Sequence, residues 1–332
     1  MREVNSSTAP ISEELPCLCK GADNTRDSVI SISLACLHFI MKIAAFTHQG
    51  QPHVGQVSAD LLSVTPWDLP LAERELGAQG IIERQVRGDA MPATLSSIAL
   101  SQVQLRAPLP RPRRNVFCVG KNYYAHAKEF ASSGFDSSAK AGGDIPSVPI
   151  IFTKVPESVI ATGEAICMPG ADVSTAIDYE AELGVIIGRG GKGIRAADAL
   201  QHVWGYTVIN DVTSRDWQNR HLQWHMGKSF DTFCPMGPWL VTADACDGTN
   251  TQVRCWVNGE ERQNASTRDL IFDIPTLIET LSAGITLYPG DVIATGTPVG
   301  VGIGFKPPRY LQSGDRVRVE IDGIGAIENP VL

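Results

Sequence analysis

Asp178-Tyr-Glu-Ala-Glu182 runs without a break into Leu-Gly-Val-Ile-Ile187, and few folds can accept that segment. An extended chain sends alternate side chains to opposite faces, so Asp178, Glu180 and Glu182 would share one face. The apolar continuation reads as a strand heading into a core. Carboxylates on one buried face repel, and burying them is costly unless something positive lies among them. Two readings follow: an edge strand with its acids in water, or an internal strand whose acids surround a cation. The segment by itself favours neither.

The rest of the chain supplies β-rich surroundings. Short β-branched runs lie at Asn115–Val119, Pro149–Thr153, Glu180–Ile187, Gly205–Asn210, Gln252–Val257, Val292–Thr295 and Arg316–Ile321. Gly, Pro and Asp turns separate them; Pro289-Gly-Asp291 and Ser313-Gly-Asp315 each introduce a strand. Helical patterns are few, the clearest being Ile274–Ser282. The expected class is a β-rich α+β fold.

At 332 residues the chain can hold one large domain with an appendage, or two ordinary domains. Residues 1–40 differ from the rest, with three of the eight cysteines and an apolar run from Val29 to Ile40. That run is shorter than the ~20 residues needed to span a bilayer, and the acidic stretch before it does not suit a signal peptide. We expect an extension outside the fold there, dispensable in a chain starting at Met41. A small N-terminal domain is expected over 41–107, with a turn at His48-Gln-Gly-Gln-Pro52 and a helix near Leu71–Arg87. The Pro- and Arg-rich stretch 107–114 reads as an exposed linker to a catalytic domain over 108–332.

Composition narrows the function classes. With 43% hydrophobic and 19% charged residues the chain can build a core, which argues against disorder and against a membrane protein. A net charge of −8, with Lys and Arg scattered, argues against a nucleic-acid surface. No cysteine pair has Cys-x-x-Cys spacing, and neighbours such as Phe117-Cys118-Val119 and Ile166-Cys167-Met168 suggest buried free thiols. A reducing, cytoplasmic setting is the expectation.

A second acid ends the apolar run Trp204-Gly-Tyr-Thr-Val-Ile-Asn-Asp211. Glu180, Glu182 and Asp211 together would offer all-oxygen ligation, which suits Mg²⁺ or Mn²⁺. Zinc prefers His and Cys, and His221 and His225 lack the glutamate of a His-Glu-x-x-His site. His126 and Glu129 are three apart on an expected short helix, hence on one face. A carboxylate beside an imidazole fixes its tautomer and raises its basicity, as deprotonating water requires. The following Gly-, Ser- and Ala-rich stretch, Phe130 to Ser147, reads as a lid. Lys228 sits in a turn before an apolar strand. Thr295-Gly-Thr-Pro-Val-Gly-Val-Gly302 is a Gly-rich loop that matches neither a P-loop nor a dinucleotide fingerprint.

In this order the segments resemble the catalytic domain of the fumarylacetoacetate hydrolase family. The likeness rests on Gly120-Lys-Asn-Tyr123 with His126 and Glu129, Asp178-Tyr-Glu-Ala-Glu182, Asn210-Asp-Val-Thr-Ser-Arg-Asp216, Gly227-Lys-Ser-Phe-Asp231 and Gly296-Thr-Pro-Val-Gly-Val-Gly302. It covers roughly 108–332. The resemblance implies a mixed β-sandwich roll, an Mg²⁺ or Mn²⁺ cofactor and a homodimer. Carried over, Glu180, Glu182 and Asp211 are the metal ligands, and His126 and Glu129 the water-activating pair. Lys228, with Arg215 and Gln218, would stabilise an oxyanion; Lys154, Tyr123 and Thr297 would line the substrate pocket. The family's longer hydrolases have another acid upstream of the histidine. Cys118-Val-Gly-Lys-Asn-Tyr-Tyr-Ala125 has none, so water should take that place.

The activity implied is hydrolysis of a C–C bond in a small anionic diketo or 2-oxo acid, with no nucleic-acid or membrane partner. The same residues would serve an isomerase or decarboxylase of 2-oxo or 2-hydroxymuconate-type diacids from aromatic catabolism. From another class, a catalytically idle binding protein could keep the fold. Loss of a ligand or of the His–Glu pair would signal that, and neither is lost.

Overall fold

The computed structural model describes residues 41–131 and 145–332. The proposed extension 1–40 and most of the proposed lid lie outside these residues. The framework is a large mixed sheet whose central strands are Lys42–His48, Cys234–Thr242, Val203–Asn210, Ala181–Ile187, Val292–Ala294 and Val116–Gly120, in that order. Neighbours in this run are antiparallel, except that Val292–Ala294 pairs parallel with Val116–Gly120. A second, four-stranded sheet contains Glu260–Ser266, Gln252–Val257, Arg316–Ile321 and Gly325–Pro330. The β-rich α+β expectation holds.

Strand alternation divides the core into two layers. Val185, Ile187, Val208 and Val241 pack with Val253, Val319 and Ile321 of the smaller sheet and with Leu277 and Leu281. Their chain neighbours Ile186, Ile209 and Leu240 belong to the other cluster, with Ile81, Ile82, Phe130, Phe152 and Trp224. Each central strand is therefore covered on both faces. The bland alternative for the acidic segment, an edge strand with its acids in water, is gone. Close packing shows at Gly205, where an added Cβ would lie 2.1 Å from the Val241 carbonyl oxygen. Gly205→Ala is expected to destabilise the protein by about 1–3 kcal/mol, since backbone must move to admit the methyl group. An unchanged denaturation midpoint would show that the strands can part there.

Local chemistry explains several boundaries. Ile274–Gly284 is a helix because Asp273 caps it, accepting from the Thr276 N–H at 2.9 Å, and Pro275 pre-sets its first turn. Ile274, Leu277, Ile278 and Leu281 make its buried stripe. The turn after His48 is a tight hairpin with positive φ at both Gln49 and Gly50.

Four expectations change. The helix read over Leu71–Arg87 is two helices, Leu71–Glu75 and Gln79–Arg87. Gly77 divides them, with φ +66 and the Pro108 carbonyl so close that no Cβ would fit. The stretch 107–114 is not an exposed linker: Ala107, Pro108, Leu109 and Pro112 are buried, and Arg114 pairs with Asp291 and donates to the Thr286 carbonyl at 2.8 Å. Residues 41–107 share a sheet with the remainder, since Lys42 and Ile43 pair with Val241 and Leu240. Cys118, Cys234, Cys246 and Cys255 are buried free thiols, but Cys167 is exposed. Among the described residues no helix is long and apolar enough to cross a membrane.

Candidate active site

The site forms where two central strands end. Ala181 pairs with Asn210, which sets Glu180 opposite Asp211 although 30 residues lie between them in the chain. The crossing is locked: the Asp211 N–H donates to the Glu180 carbonyl at 2.8 Å, and the Glu180 N–H to Asn210 Oδ1 at 3.0 Å. Carboxylate oxygens of Glu180, Glu182 and Asp211 consequently lie within 4.8 Å of one another, all buried. Asp178 does not join them. Pairing of the strand breaks at Tyr179 and Glu180, and Asp178 instead belongs to a short ladder with Thr213. Its carboxylate accepts from Arg215 Nε at 2.9 Å and from the N–H groups of Gly302 and Ile303.

Three cations answer the acids. Lys228 Nζ donates to Glu180 at 2.6 Å and to Asp211 at 2.7 Å. Lys154 Nζ donates to Asp211 at 2.6 Å and to the Val212 carbonyl at 3.0 Å. Arg215 Nη2 stands 2.7 Å from Glu180, and Nη1 donates to Gln218 at 3.1 Å. Burial alone would raise the Glu180 carboxyl, but Lys228 and Arg215 outweigh it and hold it down to about 2. Glu182 goes the other way. Burial, then the Asp211 and Glu180 charges, push it well above the usual carboxylate range. Burial opposes the charge on Lys228, yet Asp211 and Glu180 raise it above the ordinary lysine value.

These values supply a test for a divalent cation. Among the described residues, Lys154, Arg215 and Lys228 make the ion pairs of Asp178, Glu180 and Asp211, while Glu182 has none, so four acids meet three such cations. The deficit falls on Glu182, where burial and the neighbouring Asp211 and Glu180 charges favour the neutral carboxyl. A hard dication among three clustered carboxylate oxygens would supply the missing charge. The residues fit such an ion.

His126 and Glu129 share the helix Tyr124–Ala131, with His126 Nδ1 at 3.1 Å from Glu129 Oε2. Glu129 also accepts from the Gly300 N–H, at 3.1 and 3.3 Å to its two oxygens. The Gly-rich loop thereby acquires a purpose that its sequence did not reveal. Its amides serve three carboxylates in turn: Gly296 donates to Glu182, Gly300 to Glu129, and Gly302 with Ile303 to Asp178. A Cβ on Gly304 would lie 2.0 Å from Glu129 Oε1, so glycine there admits the carboxylate.

A cleft is lined by His126, Glu180, Glu182, Arg215, Gln218, Lys228 and Thr297, together with Lys121, Phe130 and Trp224. The space open within it is about 10 Å³, room for roughly one water molecule. Of the three residues expected to line the pocket, Thr297 does so, its hydroxyl donating to the Ala181 carbonyl at 3.0 Å. Lys154 is outside the lining because its ammonium is spent on Asp211. Tyr123 lines a neighbouring pocket with Asp269, Pro298 and Val299. Of the two histidines set aside as ligands, His225 lies within 3.0 Å of the Thr153 carbonyl and the His221 ring packs, tilted, against Trp217. Lys121 and Trp224 were not singled out from sequence. The left-handed φ of Lys121 has no sequence signal beyond the preceding glycine.

Fold and cleft together define a class, β-rich proteins with a buried acidic centre suited to a divalent cation. The chain belongs to the fumarylacetoacetate hydrolase family: residues 115–332 match the family model described as fumarylacetoacetate (FAA) hydrolase C-terminal. It is 49% identical over 234 residues to oxaloacetate tautomerase YisK of Bacillus subtilis (strain 168), covering 70% of this chain and 74% of that protein. It is 40% identical over 293 residues to the mitochondrial oxaloacetate tautomerase FAHD2A of Homo sapiens, covering 86% and 89%. A solved fumarylacetoacetate hydrolase from psychrophilic Exiguobacterium antarcticum superposes with a TM-score of 0.72 at 41% identity, covering 88% of this chain and 99% of that one. The 2-hydroxyhepta-2,4-diene-1,7-dioate isomerase of Mycobacterium marinum gives 0.69 at 32% identity, covering 88% and 98%.

Proposed function

We propose that the protein is an Mg²⁺- or Mn²⁺-dependent keto–enol tautomerase of small 2-oxo diacids of the oxaloacetate type. The observation that carries this reading is His126, paired with Glu129, lining the same small cleft as Glu180, Glu182 and Lys228. Proton transfer next to a carbonyl needs a base, a charge sink and little space. Relatives named tautomerase and isomerase support proton transfer as the reading, in preference to the C–C hydrolysis expected from sequence.

A divalent cation held by Glu180, Glu182 and Asp211 would supply Lewis acidity for the 2-oxo and adjoining carboxylate oxygens. Glu129 takes the Nδ1 proton of His126 in a hydrogen bond, which leaves Nε2 to carry a proton to or from C3. From enol to ketone, the hydroxyl loses its proton, C3 gains one, and no bond between heavy atoms breaks. Lys228 spends two N–H groups on Glu180 and Asp211, and its charge faces the cleft where the enolate oxygen develops. Arg215 acts indirectly, holding Asp178, Glu180 and Gln218 in place. Trp224 and Phe130 give the cleft an apolar wall beside His126.

C–C hydrolysis is the second reading. The same pair could activate water, and the Exiguobacterium antarcticum structure bears the hydrolase name. Incubation of the Mg²⁺-loaded protein with enol-oxaloacetate in D₂O separates the two. Tautomerisation removes the enol faster than Mg²⁺ in buffer alone, labels C3 with deuterium and yields no second product. Cleavage of an acylpyruvate without enol-oxaloacetate turnover would replace this reading by the hydrolytic one. A homodimer, resting on the family resemblance, and a cytosolic setting, resting on the free thiols, complete the proposal. Relatives named mitochondrial make fractionation the check on location, and light scattering the check on assembly.

A further inference from the structure

We propose that Gln263 and Thr297 act as one positioning unit that holds Glu180 and Glu182 in place for a divalent cation. This deepens the reading of the acidic triad as a metal site and rests on it. The need for such a unit comes from a strand that loses its partner. Ala181–Ile187 pairs with Val292–Ala294 only from Gly184 to Ile186, with one further bond from the Thr295 N–H to the Leu183 carbonyl at 3.0 Å. Ala181, the buried residue between the two glutamates, lies past the end of that pairing. Buried backbone N–H and C=O groups must still find partners, and two side chains stand in for the missing strand. The Ala181 N–H donates to Gln263 Oε1 at 3.0 Å, and its carbonyl accepts from the Thr297 hydroxyl at 3.0 Å.

The direction of every bond in this unit is set by chemistry. A backbone N–H can only donate, so Gln263 turns its oxygen to Ala181 and its NH₂ group the other way. Gln263 Nε2 donates to Thr297 Oγ1 at 2.8 Å and to the Pro298 carbonyl, which can only accept, at 2.7 Å. With Oγ1 accepting, the single hydroxyl proton of Thr297 goes to Ala181. The three residues close a ring in which both Gln263 donors and the Thr297 donor are spent, and Thr297 keeps no proton for a substrate carboxylate. The same loop takes the next group along: the Gly296 N–H donates to Glu182 Oε2 at 2.9 Å. The backbone between the two glutamates and one carboxylate oxygen are thereby fixed together. Gln263 belongs to the strand Glu260–Ser266, so the smaller sheet anchors the acidic triad. Three like charges stay clustered only if their backbone cannot yield to the repulsion, and groups that orient metal ligands supply that stiffness.

The test measures Mg²⁺ and Mn²⁺ binding to the full chain by calorimetry, without substrate. It compares wild type, Gln263→Met, Thr297→Val, Thr297→Ser and the double variant Gln263→Met with Thr297→Val. Gln263→Met and Thr297→Val should each weaken the ion by about 10- to 100-fold, the usual cost of losing a group that orients a metal ligand. Thr297→Ser keeps the hydroxyl and should bind nearly as wild type does. The double variant should bind no more weakly than the weaker single one, because both changes break the same ring. Losses that multiply in the double variant would overturn the unit, and so would serine as poor as valine. Wild-type affinity in Thr297→Val would also overturn it, and that small change keeps the test decisive if Gln263→Met does not fold. Lower melting temperatures with unchanged ion affinity would assign both residues to stability alone and end the proposal. Wild type that binds neither ion would overturn the cation reading and this proposal with it; ion binding equal in all five proteins would overturn this proposal only.

Discussion

Glu182→Ala is expected to abolish turnover together with the rise in melting temperature that Mg²⁺ or Mn²⁺ produces. At 100 times its dissociation constant a ligand stabilises by about 2.7 kcal/mol, and the variant should forfeit all of it. The reason lies in what surrounds this carboxylate. Burial, Asp211 and Glu180 push it well above the ordinary range, while the unfolded chain keeps a value of about 4.3. Between the two values the folded, cation-free protein holds a proton that the unfolded chain has released. Stability from this group accordingly falls as pH rises through that window. A bound dication reverses the preference and expels the proton, so metal affinity should rise with pH. Calorimetry in two buffers of different ionisation heat should register up to about one proton released per ion. Glu182→Gln mimics the protonated state: it should match or exceed wild-type stability at neutral pH without metal, yet show no response to it. Unchanged metal affinity in either variant would remove Glu180, Glu182 and Asp211 as the site.

The second large effect belongs to the His126–Glu129 pair. His126→Ala or Glu129→Gln should slow turnover by ~10²–10⁴-fold, the usual contribution of a positioned acid–base group. Metal-dependent stabilisation should survive, since neither residue is in the triad. Gly304→Ala offers an independent route to the same defect, because its methyl group would displace the Glu129 carboxylate. Isotopes then separate the chemistries. In a tautomerase these variants lose deuterium incorporation at C3; in a hydrolase they lose ¹⁸O incorporation from water into the released acid. If both dyad variants turned over normally with metal dependence intact, the proton would have to travel by another group.

The acids, the imidazole–carboxylate pair and the β-rich character were legible because they depend on short-range order. Alternation along a strand puts Glu180 and Glu182 on one side, and three residues of helix put Glu129 beside His126, wherever those elements end up. Tight turns such as Gln49-Gly50 and caps such as Asp273 are local in the same sense. The strand Cys234–Thr242 was less visible because Pro235 and Pro238 interrupt its pattern, although it pairs with both Lys42–His48 and Val203–Asn210.

What needed the tertiary structure is everything set by contacts between distant segments. The register of Ala181 on Asn210 brings Asp211 to Glu180, and nothing within either segment specifies that pairing. Asp178 has the same spacing as the two triad acids, yet Arg215 and the amides of Gly302 and Ile303 draw it elsewhere. Lys154 carries a charge suited to a substrate but spends it on Asp211. Spacing in the chain determines which side a side chain points to. Only the fold decides which partner meets it there, because a buried charge goes to whichever opposite charge or amide the packing brings within ~3 Å.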